Sequence, residues 1–352
     1  MSLWSRLYRG ETKFDFIRDR RRFFVVSGVL IVISGFSLVF RGFDGSVDFT
    51  GGTIIEAKNR SGASDSEVNA VLEEFGLGSI RIQFTDTDGE ESIRLQTEAV
   101  TPEKQDALVM AVAATVGVAF DETNVSAVGP TFGAEITRRA ITALIWFLIV
   151  VAGFIALRFD AKMSVAAIAA LFHDLAITAG IYSVIGFQVT PSTVIAVLTI
   201  LGYSLYDTVV VFDKITENVR ELTGRNTFTE IANLSMNQVL MRSINTSLTS
   251  LLPIGSLLFV GSFLLGATTL REFALALFIG VAAGTYSSIF IATPLLTTWK
   301  EREPDWERIR RRAGRRGIHD PSLVAEATVE MAQESRDIGA RPRPPRKRRK
   351  RR

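Results

Sequence analysis

The stretch PSTVIAVLTILGYSLYDTVVVFDK, residues 191–214, decides how this chain is built. Its apolar part, residues 192–212, has about the length that a helix needs to cross a bilayer, roughly 20 residues. One carboxylate, that of Asp207, interrupts it. A carboxylate at the centre of a membrane helix costs at least about 2.5 kcal/mol, so it persists where it faces a bundle interior or a wet path. The stretch therefore predicts a membrane span with a functional carboxylate.

Five further apolar runs accompany this one and predict a polytopic α-helical membrane protein with six transmembrane helices. The five runs are residues 23–40, 140–157, 164–187, 245–265 and 271–296. The composition agrees, because 47% of the 352 residues are hydrophobic and the mean hydropathy is +0.24. The first run is too long for the apolar core of a cleaved signal peptide, and no small-residue cleavage site follows it.

The distribution of charge predicts the orientation. Basic residues precede the first run, lie in the loop after the second, lie in residues 213–244, which form a loop and the start of the fifth helix, and fill the last segment. With six alternating spans these four regions share one side, which the positive-inside rule makes the cytoplasm. We therefore expect a multi-pass protein of the cell (plasma) membrane. Both termini, residues 1–22 and 299–352, are expected in the cytoplasm.

Residues 41–138 contain no membrane-length run, are rich in acidic side chains and predict an extracytoplasmic α+β domain. Helix-start signals stand at Ser64 and Thr101. Strand patterns occupy residues 52–58, 79–86, 91–97 and 123–129. The order β-α-β-β-α-β is ferredoxin-like. No nucleophile–base pair is evident in this domain, which favours a binding or moving part over an enzyme.

Other polar residues in the apolar runs predict a supporting network for Asp207. Tyr203 lies one helical turn before it, and His173 and Asp174 lie together near the middle of the third run, where a packing role and a proton-relay role both remain open. Polar residues three to four apart predict one stripe along the fifth helix, facing the bundle interior. The stripe consists of Gln238, Arg242, Asn245, Thr246 and Thr249.

Arg242 approaches from the cytoplasmic side at a depth that matches Asp207. Its guanidinium stays protonated, because the pKa of arginine lies above about 12. Ionised Asp207 is therefore expected to pair with Arg242, and neutral Asp207 to release it. Such an exchange forms a two-state element that can move one helix against another. Asp213, beside Lys214, is interpreted as a solvated helix end.

The last segment, residues 299–352, ends in RPRPPRKRRKRR and predicts a disordered basic tail. Such a tail can bind anionic lipid headgroups or ribosomal RNA. A topology anchor without a specific partner explains it equally well.

Five motifs together resemble the SecF family of bacterial protein-export membrane proteins. They are VDFTGG (47–52), VGPTFGAEI (128–136), FHDLAITAG (172–180), LGYSLYDTVVVFDKITENVRE (201–221) and LMRSINTSLTSLLP (240–253). The resemblance covers nearly the whole chain. Its signature residues in the external domain are Asp48, Phe49, Thr50, Gly51, Gly52, Gly129, Pro130 and Gly133.

The resemblance implies a subunit that pairs with SecD in an assembly of the RND superfamily type. The pair acts with the SecYEG channel on a translocating preprotein, after the SecA motor, and draws on the proton-motive force. The functional aspartate and arginine of the family fall on Asp207 and Arg242. Tyr206 stands where the family usually has asparagine. This departure affects the local hydrogen bonding that the resemblance implies, more than the role of Asp207. The long basic tail is a second departure.

Alternative functions fit the residues less well. An intramembrane aspartyl protease needs a second aspartate in a GxGD setting, which the sequence lacks. Another RND-type proton-driven exporter, of lipids or small molecules, leaves the joint occurrence of the five motifs unexplained. A purely structural scaffold leaves Asp207 and Arg242 unexplained. The chain has no cysteine, so it forms neither a disulfide nor a thiolate metal site, and no His/Asp spacing suggests another metal site. It has no GxxxxGK[ST] loop, so nucleotide hydrolysis is not its source of energy. We expect no enzyme activity, no cofactor and no metal. The choice between protons and sodium ions stays open.

Overall fold

A computed structural model describes residues 14–77, 79–87, 90–223, 226–264 and 268–315. The first helix, α1 (Arg20–Phe40), leads into an α/β domain. In chain order the domain contains β1 (Asp44–Gly45), α2 (Val47–Thr50), β2 (Gly52–Lys58), α3 (Asp65–Glu74), β3 (Ser79–Thr87), β4 (Glu90–Thr97), α4 (Pro102–Val116) and β5 (Asn124–Val128). From β2 onward the elements follow the predicted order β-α-β-β-α-β.

The four long strands of the domain form one antiparallel sheet in the order β3-β4-β2-β5. Apolar side chains of β2 and β4 pack against α3 and α4 and form the core of the domain. Its fully buried members include Ile55, Leu72, Ile93, Leu95 and Leu108. Helix α3 begins at the predicted capping box, where the backbone N–H of Ser64 donates to the Glu67 carboxylate at 2.7 Å. This hydrogen bond lowers the pKa of Glu67 below its usual value.

The rest of the chain is a helical bundle. Its elements are α5 (Pro130–Arg158), α6 (Ala161–Ile185), β6 (Gln188–Val189), α7 (Pro191–Leu222), α8 (Phe228–Ser256), α9 (Thr268–Ser287), α10 (Thr293–Lys300) and α11 (Pro304–Arg315). A π-helical segment at Leu257–Leu264 extends α8, and another at Ser288–Ala292 joins α9 to α10. In the described part of the chain, six helical stretches are long and apolar enough to cross a membrane, as many as predicted. We call the side of the bundle that carries the α/β domain the domain side, and the opposite side the far side.

Several helices extend beyond the predicted spans. Helix α5 starts at Pro130 rather than residue 140, because Gly129 and Pro130 supply its N-cap and first residue. Helix α7 continues to Leu222, and α8 starts at Phe228 after a Thr227 capping box. Most of residues 213–244, predicted as a loop and the start of the fifth helix, are therefore helical, and α7 and α8 form a hairpin on the far side.

The prediction that disorder begins at residue 299 is wrong, because α11 continues the fold to Arg315. Trp306 packs edge-on against Phe228 at 5.1 Å between ring centroids, and the Arg311 guanidinium pairs with Glu307 at 2.6 Å. Helix α11 is amphipathic, and its apolar side thus finds a partner on the far-side hairpin. Residues 316–352 of the predicted tail lie outside the described residues.

A second contact on the far side involves the segment before α1. The backbone N–H of Phe14 donates to the Asn237 side chain at 2.9 Å, and that of Phe16 donates to Asn233 at 3.0 Å. Ile17 is buried in the core of the bundle. These contacts fasten the chain to α8 before the first membrane helix begins.

Helix α7 lies at the centre of the bundle, where it packs against α6, α8 and α9. The contact with α9 is close because two glycines stand four residues apart on α9, in a small-xxx-small pattern. A Cβ atom on Gly280 would lie 2.3 Å from the Ile200 side chain, and one on Gly284 would lie 2.8 Å from Ser204 Cβ. Small residues at these positions let α9 approach the helix that carries Asp207.

Candidate functional site

Asp174 is the most completely buried carboxylate of the bundle. Its side chain has no solvent exposure, and the two carboxylate oxygens bind three neighbouring groups. Oδ1 lies 3.0 Å from His173 Nδ1, and Oδ2 accepts hydrogen bonds from Ser204 Oγ at 2.5 Å and Ser287 Oγ at 2.8 Å. Ser204 belongs to α7 and Ser287 to α9, so one carboxylate holds three helices together.

His173 extends this network toward the first helix. Its ring stacks on Tyr286 at 6.2 Å between centroids, and the Tyr286 hydroxyl accepts a hydrogen bond from Ser27 and donates to the Phe23 carbonyl, both at 3.3 Å. The Nε2 atom of His173 is buried without a hydrogen-bond partner among the described residues. The predicted pairing of His173 and Asp174 in one polar network is therefore present.

Asp207 lies one helical turn after Ser204 on α7 and is 5% exposed. Its Oδ1 atom accepts a hydrogen bond from Ser243 Oγ of α8 at 2.6 Å. Its Oδ2 atom is buried and has no hydrogen-bond partner among the described residues. The carboxyl group is thus only half satisfied, in contrast to that of Asp174, and has one oxygen left for a proton or a cation.

Arg242 does not form the predicted direct ion pair with Asp207 in this conformation. Its Nη2 atom donates to the Tyr206 hydroxyl at 2.7 Å, and its guanidinium lies 5.8 Å from the centre of the Tyr206 ring. Helix α8 presents Ser243 to Asp207, which turns the neighbouring residue, Arg242, toward the exposed Tyr206. Tyr206, which stands where the family usually has asparagine, is therefore a hydrogen-bond partner of Arg242.

The predicted orientation of the polar stripe is also wrong. Arg242, Asn245 and Thr249 are exposed, and the buried polar residues of α8 at this level are Ser243 and Ser247. The hydroxyls of the stripe satisfy themselves locally, since Thr246 and Thr249 donate to carbonyls of their own helix at 2.8 Å. Gln238 is half-buried and accepts a hydrogen bond from Asn218 at 2.9 Å. Tyr203 is half-buried and makes no hydrogen bond with the described residues.

Small hydroxyl residues complete the site, and the sequence analysis missed them. Ser247 of α8 bonds to Thr285 of α9 at 2.8 Å, and Thr208 of α7 bonds to Ser288 at 3.0 Å. Ser288 begins a π-helical segment, a distortion that occurs frequently at functional sites. Serine and threonine scattered in an apolar run are usually taken as packing residues, so only their helical spacing from Asp207 and Asp174 could have singled them out.

The signature residues of the α/β domain lie together where the domain meets α5. A Cβ atom on Gly51, whose φ is +77°, would lie 2.7 Å from Pro130 Cα, and one on Gly133 would lie 2.6 Å from the Phe49 carbonyl oxygen. Gly129 caps α5. Gly52 faces the Thr97 carbonyl, and around it Asp48 and Thr50 bond within their own turn to Ser46. These residues therefore form a tight junction between domain and bundle.

A sequence model of the family described as "Protein export membrane protein SecD/SecF, C-terminal" matches residues 108–302, which include Asp174, Asp207 and Arg242. The chain belongs to the SecD/SecF family. The predicted resemblance is thereby confirmed.

Two relatives of similar length are proteins named protein translocase subunit SecF. The one from Streptomyces coelicolor is 39% identical over 96% of this chain and 89% of its own length. The one from Mycobacterium tuberculosis is 40% identical over 95% of this chain and 78% of its own length. This SecF-like chain is thus related along nearly its whole length to protein translocase subunits, which gives it a general role in protein export.

The crystal structure of SecDF from Thermus thermophilus, described as a translocon-associated membrane protein, is also similar. It is 35% identical, with a TM-score of 0.73. The match covers 86% of this chain and 40% of the SecDF chain. The present chain therefore spans well under half of the length of that solved relative.

Proposed function

We propose that this chain is the SecF subunit of a protein-export complex that contains SecD. The pair uses the proton-motive force to promote late steps of preprotein export through the SecYEG channel, after the SecA motor has started them. The observation that carries this proposal is the half-satisfied Asp207, buried beside a helix whose Arg242 is exposed within an apolar span. Proton gradients act on a group of this kind.

An exposed polar rim supports the partnership with SecD. We define the rim as Tyr206, Arg242, Asn245 and Thr249, which are all exposed on α7 and α8. An arginine at the centre of a membrane helix costs about 2.5–3.5 kcal/mol on insertion scales when lipid surrounds it. Helices of a second membrane protein that offer polar groups remove this cost. The longer SecDF relatives, in which the matching part is less than half of the chain, favour SecD as that protein.

The charge switch follows from the two states of the Asp207 carboxyl group. We assign to neutral Asp207 the arrangement in which Ser243 bonds to one oxygen and Arg242 contacts Tyr206. When Asp207 loses its proton, the buried carboxylate attracts the guanidinium, which leaves Tyr206 and draws α8 toward α7. A membrane potential of 100 mV is worth about 2.3 kcal/mol per charge, so one proton can bias an equilibrium of this size.

The orientation in the cell follows the charge distribution. The far side, with both termini, faces the cytoplasm, and the acidic α/β domain faces outward in the plasma membrane. The strand order β3-β4-β2-β5 supports a ferredoxin-like domain. The α/β domain alternates between two positions, one that holds a translocating chain and one that releases it. The basic tail suits two partners, anionic lipid headgroups and ribosomal RNA, and serves equally well as a topology anchor.

The chain acts in transport and is not an enzyme. An aspartyl protease would bring two carboxylates together over one proton. Here Asp174 is bound by His173, Ser204 and Ser287, and Asp207 by Ser243. No cofactor is needed, because the proton gradient supplies the energy.

Export of a secreted reporter in SecF-depleted cells tests this function. We expect wild-type protein to restore export, and Asp207→Asn and Arg242→Met to fail although both accumulate in the membrane with SecD. Asp213→Asn serves as the matched control, because Asp213 forms only a half-exposed ion pair with Arg158 at 2.9 Å. Normal export by Asp207→Asn would overturn proton coupling through this residue. A normal rate in cells whose proton gradient is replaced by a sodium gradient would identify sodium as the ion.

The Tyr206 contact gives a finer prediction. Tyr206→Phe removes the hydroxyl that accepts from Arg242, so the guanidinium loses its resting place and release from Asp207 slows. Loss of such a hydrogen bond, worth about 0.5–1.5 kcal/mol, is expected to slow export about two- to tenfold. The control is Tyr203→Phe, because Tyr203 makes no hydrogen bond with the described residues. Equal export by the two variants would contradict the role given to Tyr206.

A further inference from the structure

The connection between α6 and α7 is short and has a defined backbone conformation. Helix α6 ends at Ile185, Gly186 follows in the left-handed conformation with φ +79°, and β6 occupies Gln188–Val189. Thr190 then caps α7, its hydroxyl accepting from the Thr193 N–H at 3.1 Å. A displacement of the domain-side end of α7 is therefore transmitted directly to β6.

The backbone of β6 is hydrogen-bonded to the start of the α/β domain. It runs parallel to β1, with Asp44 opposite Gln188 and Gly45 opposite Val189. The Ser46 N–H donates to the Val189 carbonyl at 2.9 Å. Strand β1 leads directly through α2 into β2, an inner strand of the sheet. The two-stranded ladder thus joins α7 to the domain.

Side chains reinforce this ladder from two other strands. Gln96 of β4 and Gln188 exchange two amide hydrogen bonds, at 2.6 and 3.0 Å, and both residues are at least 96% buried. Arg81 of β3 binds the Gly186 carbonyl at 2.9 Å and the Asp44 carboxylate at 2.7 Å. Separation of the domain from the connection would break all of these contacts and leave the two buried amides without their partners.

The covalent attachments of the domain do not lead to the helix that carries Asp207. The chain enters the domain from α1 and leaves it into α5. The contact with β6 instead leads straight into α7, where Asp207 lies about 24 Å along the helix from Pro191 at a rise of 1.5 Å per residue. This contact is therefore the direct route by which a shift of α7 reaches the domain.

We propose that Gln96, Gln188, Arg81 and Asp44 form a rigid clasp through which the α/β domain moves as one unit with α7. The four are positioning residues for export, because they transmit the movement of α7 to the domain. This inference rests on the proposed function in one respect, because it takes the shift at Asp207 as the source of the movement.

A redox-switched clasp tests this inference in one protein. The chain has no cysteine, so Asp44→Cys with Gln188→Cys introduces the only thiols. The two positions are paired across adjacent strands, whose spacing of about 4.8 Å lies within the Cα separation that a disulfide spans. The double variant removes the carboxylate partner of Arg81 and the amide partner of Gln96, and oxidation replaces these contacts by a covalent bond.

Export of a cysteine-free reporter is measured in SecF-depleted cells, with and without a reductant. We expect the oxidised protein to export near the wild-type rate, and the same protein to slow at least fivefold on reduction. The single variants Asp44→Cys and Gln188→Cys should remain slow in both conditions, and the wild type should not respond. Equal rates in both states would overturn a coupling role. A block in the oxidised state with recovery on reduction would show that the clasp opens, and would overturn its rigidity.

A second variant keeps the inference falsifiable if the cysteine pair fails to accumulate. Gln96→Met with Gln188→Met preserves volume but removes the amide pair, and should slow export at least fivefold at a normal protein level. Normal export by this variant would overturn the clasp. Asp207→Asn is measured in parallel. If Asp207→Asn exports normally, the proposed proton coupling through Asp207 is wrong. The redox response of the cysteine variant still tests the clasp by itself.

Discussion

Asp174→Asn is expected to lower the free energy of unfolding by about 2–4 kcal/mol, because removing one partner from a buried ionic network leaves the others unsatisfied. The carboxylate of Asp174 accepts hydrogen bonds from three helices, and an amide nitrogen cannot replace an accepting oxygen. Either the His173 ring or the two serines, Ser204 and Ser287, lose their acceptor. The loss falls where α6, α7 and α9 meet.

The thermal unfolding midpoint of the purified protein in detergent measures this effect. The matched control is again Asp213→Asn, since an exposed pair such as Asp213 with Arg158 contributes about 0–1 kcal/mol. We expect the Asp174 variant to unfold at a clearly lower temperature than wild type, and the control to lie close to wild type. Equal midpoints for the two variants would mean that Asp174 does not fasten the three helices.

Gly284→Leu is expected to prevent close packing of α9 on α7 and to abolish export. Even a Cβ atom at Gly284 would lie 2.8 Å from Ser204 Cβ, so a leucine side chain forces the two helices apart. Overpacking alone costs about 1–3 kcal/mol, and separation also breaks the bonds of Ser204 and Ser287 to Asp174. We therefore expect loss of both stability and transport.

Gly153→Leu on α5 provides the comparison, because nothing lies within 4 Å of a Cβ atom there. Protein level in the membrane, unfolding midpoint and reporter export are measured for both variants. The Gly153 variant should behave like wild type. If Gly284→Leu accumulated, unfolded and exported as wild type does, the tight contact between α7 and α9 would have no role in stability or transport.

The sequence predicted the helices and strands well because each has a local cause. Membrane helices follow from apolar length, and the strands of the domain from alternation bounded by turns. Helix ends were less predictable. The far-side extensions of α7 and α8 are polar, so the apolar pattern does not include them. Helix α11 packs on the bundle through the contact of Trp306 with Phe228, which the local sequence does not show.

The site was predictable in its charges and not in its contacts. Asp174 and Asp207 stood out because carboxylates are rare in apolar runs. Which face of α8 is buried could not be read from the stripe, because Thr246 and Thr249 satisfy their hydroxyls within their own helix. The residue of α8 that contacts Asp207 is Ser243 and not the predicted Arg242. The two are neighbours in sequence, but their side chains point about 100° apart around the helix.

The α/β domain rests on the bundle at three supports: the end of α1, the start of α5 and the clasp on β6. Two of these are covalent connections of the chain, and the third consists of the hydrogen bonds and the ion pair of the clasp. On the clasp proposed above, a displacement of α7 carries the domain with it. Any difference between the movements of α7 and α1 then falls on the short connection between α1 and β1, residues 41–43.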